Sequence, residues 1–326
     1  MASRSLVVLP DDSARPILDA IGRAARSLFV KMFIFNDPEL VSAVLAARRR
    51  GVKVCVMLNP ARRSGEAENE PTRAALERGG VHVIDSNPAF QLTHEKSMVV
   101  DEATAFVKSF NWATRNLTET RDYAVVTTHR REVREIVACF EADWHRQGFE
   151  PGERSKLVWC PGAREQVARF IDEARHTLFV QNERYQDTII IEHLVRANRR
   201  GVKVHVMARP PHTLKLEKLV EGVGGLRILN DIGIEVRKLK HLKLHAKVLL
   251  ADGVAALVGS INLAPGSLDE RRELAIDVRE EEVVEHLDKI VHHDWKHSHP
   301  LDLSEQGLLA DLEDRADEAE RLGILE

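Results

Sequence analysis

Two short stretches hold the side chains best able to do chemistry together: His94-Glu95-Lys96 with Asp101 beyond it, and His245-Ala246-Lys247 with Asp252 beyond it. In each, a His-x-Lys triplet is followed by four residues and then an aspartate. Histidine supplies a base or nucleophile that works near neutral pH, and lysine supplies a compact cation. On an alternating extended chain, residues two apart leave one face together, so each imidazole shares its side with an ammonium. Asp101 lies seven positions from His94, an odd count that turns it away, and Asp252 stands in the same relation to His245. Both aspartates are therefore expected to do structural work at a hairpin turn.

A small polar pair follows each stretch at a matched distance: Ser109 with Asn111, and Ser260 with Asn262. Two imidazoles at one site suit a two-step displacement. One attacks, while the other protonates the leaving oxygen and later deprotonates the incoming nucleophile. Lys96 and Lys247 would bring positive charge, and Asn111 and Asn262 neutral donors, to the nonbridging oxygens of a phosphodiester. Asp122 and Glu273 open the next predicted strand of each half at the same offset. A carboxylate on the far ring nitrogen fixes the tautomer of a working histidine, and these two are the candidates for it.

The elements that position these groups form a repeat. Residues 28–35 read as a buried strand, 38–51 as a helix ending in arginines and a glycine, and 52–58 as a second strand, which makes a right-handed crossover and a partly parallel sheet. A short helix near 71–79, a strand at 81–85, a hairpin through the first motif, a strand at 121–127 and a closing helix complete the half. Residues 26–60 then recur as 176–210 at an offset of 150, which has become 151 by the second motif histidine. The fold class expected is α/β, with two lobes related by a pseudo-twofold axis, each a mixed sheet flanked by helices. Glycine, proline and charge near 147–156 put the boundary there, giving lobes over 1–150 and 151–300 and an acidic helix over 301–326. A pseudo-twofold axis would bring the two histidines together at one cleft.

Composition narrows the class. The 326 residues, 44% apolar and 30% charged, suit a soluble globular chain, and a net charge of −4 argues against a general nucleic-acid coat. No run long enough to span a bilayer and no leader pattern is visible. The three cysteines, Cys55, Cys139 and Cys160, show no framework spacing and suit a reducing cytosol. His286, His292, His293, His297 and His299 crowd the end of the chain's repeat but read as solvated helix-end residues, so no metal is expected. Trp144 and Trp295 are repeat-matched and read as packing residues. Loops after strand ends are the usual place for substrate contacts, which nominates Asn59, Arg62, Arg63, Arg209 and His212. Glu183, Arg184 and Tyr185 join them because they replace the apolar Phe33-Ile34-Phe35 of the first half.

The two His-x-Lys-x4-Asp boxes with their downstream Ser-x-Asn pairs resemble the phospholipase D superfamily, over nearly all of residues 5–300. The second box is similar to bacterial cardiolipin synthases through Gly259-Ser260-Ile261-Asn262 and Arg272-Glu273; in the first, Lys108 and Asp122 stand where glycine and glutamate are usual. The resemblance implies phospholipase D-like lobes and a metal-independent, cofactor-free reaction through a phosphohistidine. It makes His94 the nucleophile and His245 the acid and base, with Ser109 and Ser260 supporting the phosphate pocket. A phospholipid reached peripherally from the cytosolic side is the expected substrate. A nuclease using the Arg62, Arg63 and Arg209 loops is the alternative, and a non-catalytic phosphate-binding module the third. Both boxes lie in one chain, so no protein partner is required.

Overall fold

The computed structural model describes residues 3–61, 65–153, 155–210 and 216–307, the side chains of 216–221 excepted. The first half runs β1 (Arg4–Leu9), α1 (Arg15–Arg23), β2 (Ser27–Met32), α2 (Pro38–Arg49), β3 (Lys53–Leu58), α3 (Glu70–Arg78), β4 (His82–Asp85), β5 (Ser97–Val100), β6 (Thr104–Lys108), α4 (Thr114–Thr118), β7 (Thr120–Thr127) and α5 (Arg130–Trp144). The second runs β8 (Leu157–Cys160), α6 (Arg164–Glu173), β9 (Thr177–Asn182), α7 (Thr188–Arg199), β10 (Lys203–Ala208), α8 (Leu216–Asp231), β11 (Val236–Lys238), β12 (Lys243–Leu244), β13 (Val248–Ala251), β14 (Ala255–Gly259), α9 (Pro265–Asp269), β15 (Glu273–Val278), α10 (Glu281–Lys296) and β16 (His299–Pro300).

Each half builds the mixed sheet that its pattern predicts. In the first, the order is β1-β7-β6-β5-β2-β3-β4, with β2, β3 and β4 parallel and the other neighbours antiparallel. The second repeats it as β8-β15-β14-β13-β9-β10-β11, and β16 adds an antiparallel edge. The crossover helices start where the repeat places a cap: Asp37 accepts from the Glu39 and Leu40 amides, and Asp187 from Ile190. Arg50 and Arg200, drawn from the repeat-matched arginine clusters, donate to carbonyls at the ends of α1 and α6.

Apolar side chains gather into three layers. Outer cores lie between each sheet and its own crossover helices. A middle core draws on both sheets at once and on α5 and α10, through Phe29, Val107, Val125, Ile136 and Phe140 from one half and Phe179, Val258, Ile276, Leu287 and Val291 from the other. The halves are thus two lobes around a shared interior. Trp144 and Trp295 pack against Phe140 and Phe179, as packing residues should. Leu301 and Leu303 are buried in the second lobe's core ahead of a helical turn at 305–307, and the rest of the expected C-terminal helix, 308–326, lies outside the described residues.

The His-x-Lys triplets are not strand residues; β5 begins at Ser97 and β13 at Val248. The chain before each triplet instead pairs with the other lobe. β12 lies parallel to the start of β7, and Thr93 bridges Arg272 at the start of β15. Amides of His94 and Glu95 donate to the Arg272 carbonyl, and those of His245 and Ala246 to Arg121. The side chains of these arginines form reciprocal buried ion pairs. Arg121 reaches Asp294 on α10 at 2.8 and 3.1 Å, and Arg272 reaches Asp143 on α5 at 3.0 Å through both nitrogens. Breaking such a pair leaves a charge unpaired in the interior. Asp294→Ala is therefore expected to destabilise the fold by about 3–5 kcal/mol in urea unfolding, with Arg121→Met/Asp294→Leu costing less; equal midpoints for wild type and Asp294→Ala would contradict this.

Candidate active site

The exchange of segments carries each histidine to a carboxylate of the opposite lobe. His94 Nδ1 lies 2.9 Å from Glu273 Oε2, and His245 Nδ1 lies 2.9 Å from Asp122 Oδ1. Both carboxylates are wholly buried and directly follow the paired arginines, Glu273 as the first residue of β15 and Asp122 as the third of β7. With Nδ1 held by the carboxylate, each ring presents Nε2 for chemistry, as a lone pair that attacks or as a proton that is given. The His94 imidazole is held well below its ordinary value by burial and then by the Lys96 and Lys247 ammonium groups, so it is neutral at pH 7. Lys247 and Glu183 of the second lobe also act on the His94 charge, and the crossed contacts tie each motif to the opposite lobe.

Hydroxyls hold the carboxylates in turn. Ser109 and Thr120 donate to Asp122 at 2.5 and 2.6 Å, and Ser267 donates to Glu273. Ser109 and Ser260 are wholly buried against these carboxylates and against β7 and β15. Thr120 and Ser267 carried no signal in sequence, because their partners became visible only with the strands in register.

Lys96 donates to the His94 carbonyl at 2.5 Å, and Lys247 to that of His245. Burial lowers the Lys96 ammonium to about 7. Asn111 and Asn262 are buried, and the side-chain oxygen of each has no hydrogen-bond partner. Buried amides left open in this way are suited to a polar ligand. Asp101 and Asp252 lie at turns with φ of +54° and +53°, the hairpin position expected of them. The Asp101 carboxylate accepts from the amides of Ala25, Arg26 and Ser27, and Asp252 from Arg175, His176 and Thr177. These clamps fix the hairpins to β2 and β9.

The lobes differ beside the lysines. Phe33 packs edge-on to His94 at 4.9 Å between ring centres and lies under Lys96. Its counterpart Glu183 bonds Lys247 at 2.9 Å and Arg209 at 3.3 Å. Gly259 allows β14 and β15 to approach so closely that a side-chain carbon there would collide with the Leu274 carbonyl. Lys108 fills the equivalent position in the first lobe, buried over the Trp112 ring at 4.8 Å and pushed well below its ordinary value by burial.

Of the remaining candidates, Tyr185 is corrected to a core residue: it is 1% exposed, and its hydroxyl donates to the carbonyls of Val180 and Met207. Asn59 is also scaffold, accepting from the Thr93 amide that leads into His94. Arg184 is half-buried beside Asn182, and Arg62, Arg63 and His212 lie outside the described residues. Among the described residues, Glu95, Cys139 and Asp143 form a trio with metal-ligand spacing, but Lys31 fills it, 2.9 Å from Glu95 and 2.8 Å from Asp143. Its ammonium already satisfies those carboxylates.

Paired lobes, each lending a carboxylate to the other lobe's motif imidazole, define a two-lobed phospholipase D-type enzyme. The chain belongs to the family described as cardiolipin synthase, PLD-like domain, whose model matches residues 17–144 and again 167–295. It is 27% identical over 312 residues to cardiolipin synthase B of Escherichia coli K12, covering 81% of this chain and 73% of that protein. It is also 27% identical over 306 residues to polyphosphate kinase 1 of Chlorobaculum tepidum, but spans only 42% of that protein. Among solved structures, the phosphatidylserine synthase of Haemophilus influenzae shares the fold with a TM-score of 0.76 at 11% identity, covering 98% of this chain and 94% of the other.

With Lys96 at about 7, the site should lose a cation as pH rises through neutrality. Sulfate, which does not titrate in this range, is expected to bind about tenfold more weakly at about pH 8 than at about pH 6, by calorimetry. Lys96→Met should remove that dependence; an equally steep profile in the variant would assign it elsewhere.

Proposed function

We propose that this chain is a metal-independent phosphodiesterase or phosphatidyltransferase that acts on phospholipid through a phosphohistidine. The observation that carries the reading is the crossed pair of imidazole–carboxylate contacts, which holds each ring by Nδ1 and leaves Nε2 for the reaction. His94, neutral and beside Phe33, has the environment of the nucleophile. His245, with carboxylates near both ring nitrogens, has that of the proton carrier. Lys96 and Lys247, with the side-chain amide nitrogens of Asn111 and Asn262, would donate to the nonbridging oxygens as charge shifts in the transition state.

The family and the similarity to cardiolipin synthase B support phospholipid as the substrate. No helix among the described residues is long and apolar enough to cross a membrane, which fits peripheral contact with a bilayer from the cytosolic side. Arg209, one of the residues a nuclease would use, is turned to Glu183.

Purified protein given labelled phosphatidylglycerol vesicles, with single-stranded DNA in parallel and EDTA in both, should turn over the lipid alone. His94→Ala and His245→Ala should each lower that rate by about 10³-fold or more. Turnover confined to DNA would overturn the lipid substrate, and wild-type rates in both variants would overturn the mechanism.

A further inference from the structure

Glu183 breaks the symmetry of the site where chemistry would occur. Its Oε2 lies 3.8 Å from His245 Nε2 and 2.9 Å from Lys247 Nζ, and its side chain is 11% exposed. Burial pushes this carboxyl up, but Lys247, His245 and Arg209 outweigh it and hold the group well below its ordinary value, so it is ionised. An anion beside a phosphate pocket repels the phosphate. Nor does a site lysine require it, since Lys96 stands over Phe33 in the other lobe. A carboxylate has lone pairs beyond those used by Lys247 and Arg209, and they accept from hydroxyl groups.

We propose that Glu183 is a specificity-determining residue that binds a hydroxyl of the acceptor and so directs the phosphoryl group to a vicinal diol in preference to water. This rests on the transfer reaction proposed above. In the first step, His94 Nε2 bonds to phosphorus as the bond from phosphorus to the leaving alcohol oxygen breaks, and His245 gives its Nε2 proton to that oxygen. In the second step, one hydroxyl of the diol bonds to phosphorus as the phosphorus–nitrogen bond breaks. Its proton passes to His245 Nε2, and His94 is restored. The neighbouring hydroxyl donates to Glu183 Oε2, whose 3.8 Å separation from His245 Nε2 suits adjacent oxygens of one molecule. Water can take only one of these places.

The test uses the full chain with phosphatidylglycerol vesicles, measuring transfer to the lipid's own glycerol group against hydrolysis to phosphatidic acid. Separate arms add 1,2-propanediol or 1-propanol. All products leave one covalent intermediate, so their ratio does not depend on the fraction of folded protein. Glu183→Gln and Glu183→Ala are expected to lower the ratio of diol transfer to hydrolysis about tenfold and to abolish the preference for 1,2-propanediol over 1-propanol. Glu183→Asp should retain part of both. An unchanged ratio in Glu183→Gln would overturn the proposal while leaving the transfer reaction standing. Complete loss of turnover in that variant would overturn a role confined to acceptor choice. If the wild type forms none of these products, the transfer reaction itself fails.

Discussion

Each histidine of the site depends on a carboxylate that the other lobe supplies. Glu273 holds His94 and Asp122 holds His245, so neither lobe contains a complete imidazole–carboxylate unit. The backbone enforces the crossing. Chain entering each motif adds to the first strand residues of the opposite β7 or β15, and the arginine one step before each carboxylate reaches an aspartate on the opposite lobe's last helix. Register, ion pair and catalytic tautomer are thereby fixed by the same few residues. A shift of one residue in either added segment would turn its histidine away from its carboxylate.

Burial gives these contacts their strength and also their cost. Lys31, Lys96 and Lys108 are all enclosed, yet they differ in state. Lys31 keeps its charge because Glu95 and Asp143 close around it, while burial draws Asp143 up and Lys31 and Arg272 bring it back to about 2. Lys108 has no such partner among the described residues and is driven toward the neutral amine. Lys96 lies between, with a position near neutrality that an incoming phosphate would raise. The second lobe solves the same problem with Glu183 beside Lys247, and this difference separates two otherwise matched half-sites.

Much of this was legible in the sequence. The repeat gave the lobes, because it ran with a shift of one residue through strands, helix caps and motifs alike, and the strand pattern put Asp101 at a hairpin turn. Matching offsets also found Asp122 and Glu273 as orienting groups, but equivalence by offset says nothing of which histidine each serves. The crossing arises from tertiary pairing of β12 with β7, a contact more than a hundred residues apart in sequence. Arg121 and Asp294 carried no signal in the sequence for the same reason. Tyr185 misled because its polarity suggested a ligand, whereas its hydroxyl satisfies two backbone carbonyls inside the core. Ser109 and Ser260 meet the carboxylates that hold the imidazoles, a link that spacing alone does not reveal.

The crossed pairing is tested most directly by nitrogen-15 NMR of the histidine side chains. Both His94 and His245 should show a protonated Nδ1 in a strong hydrogen bond. Glu273→Gln is expected to shift the Nδ1–H signal of His94, and Asp122→Asn that of His245, each leaving the other histidine in place. A Glu273→Gln protein in which His245 moves and His94 does not would contradict the account.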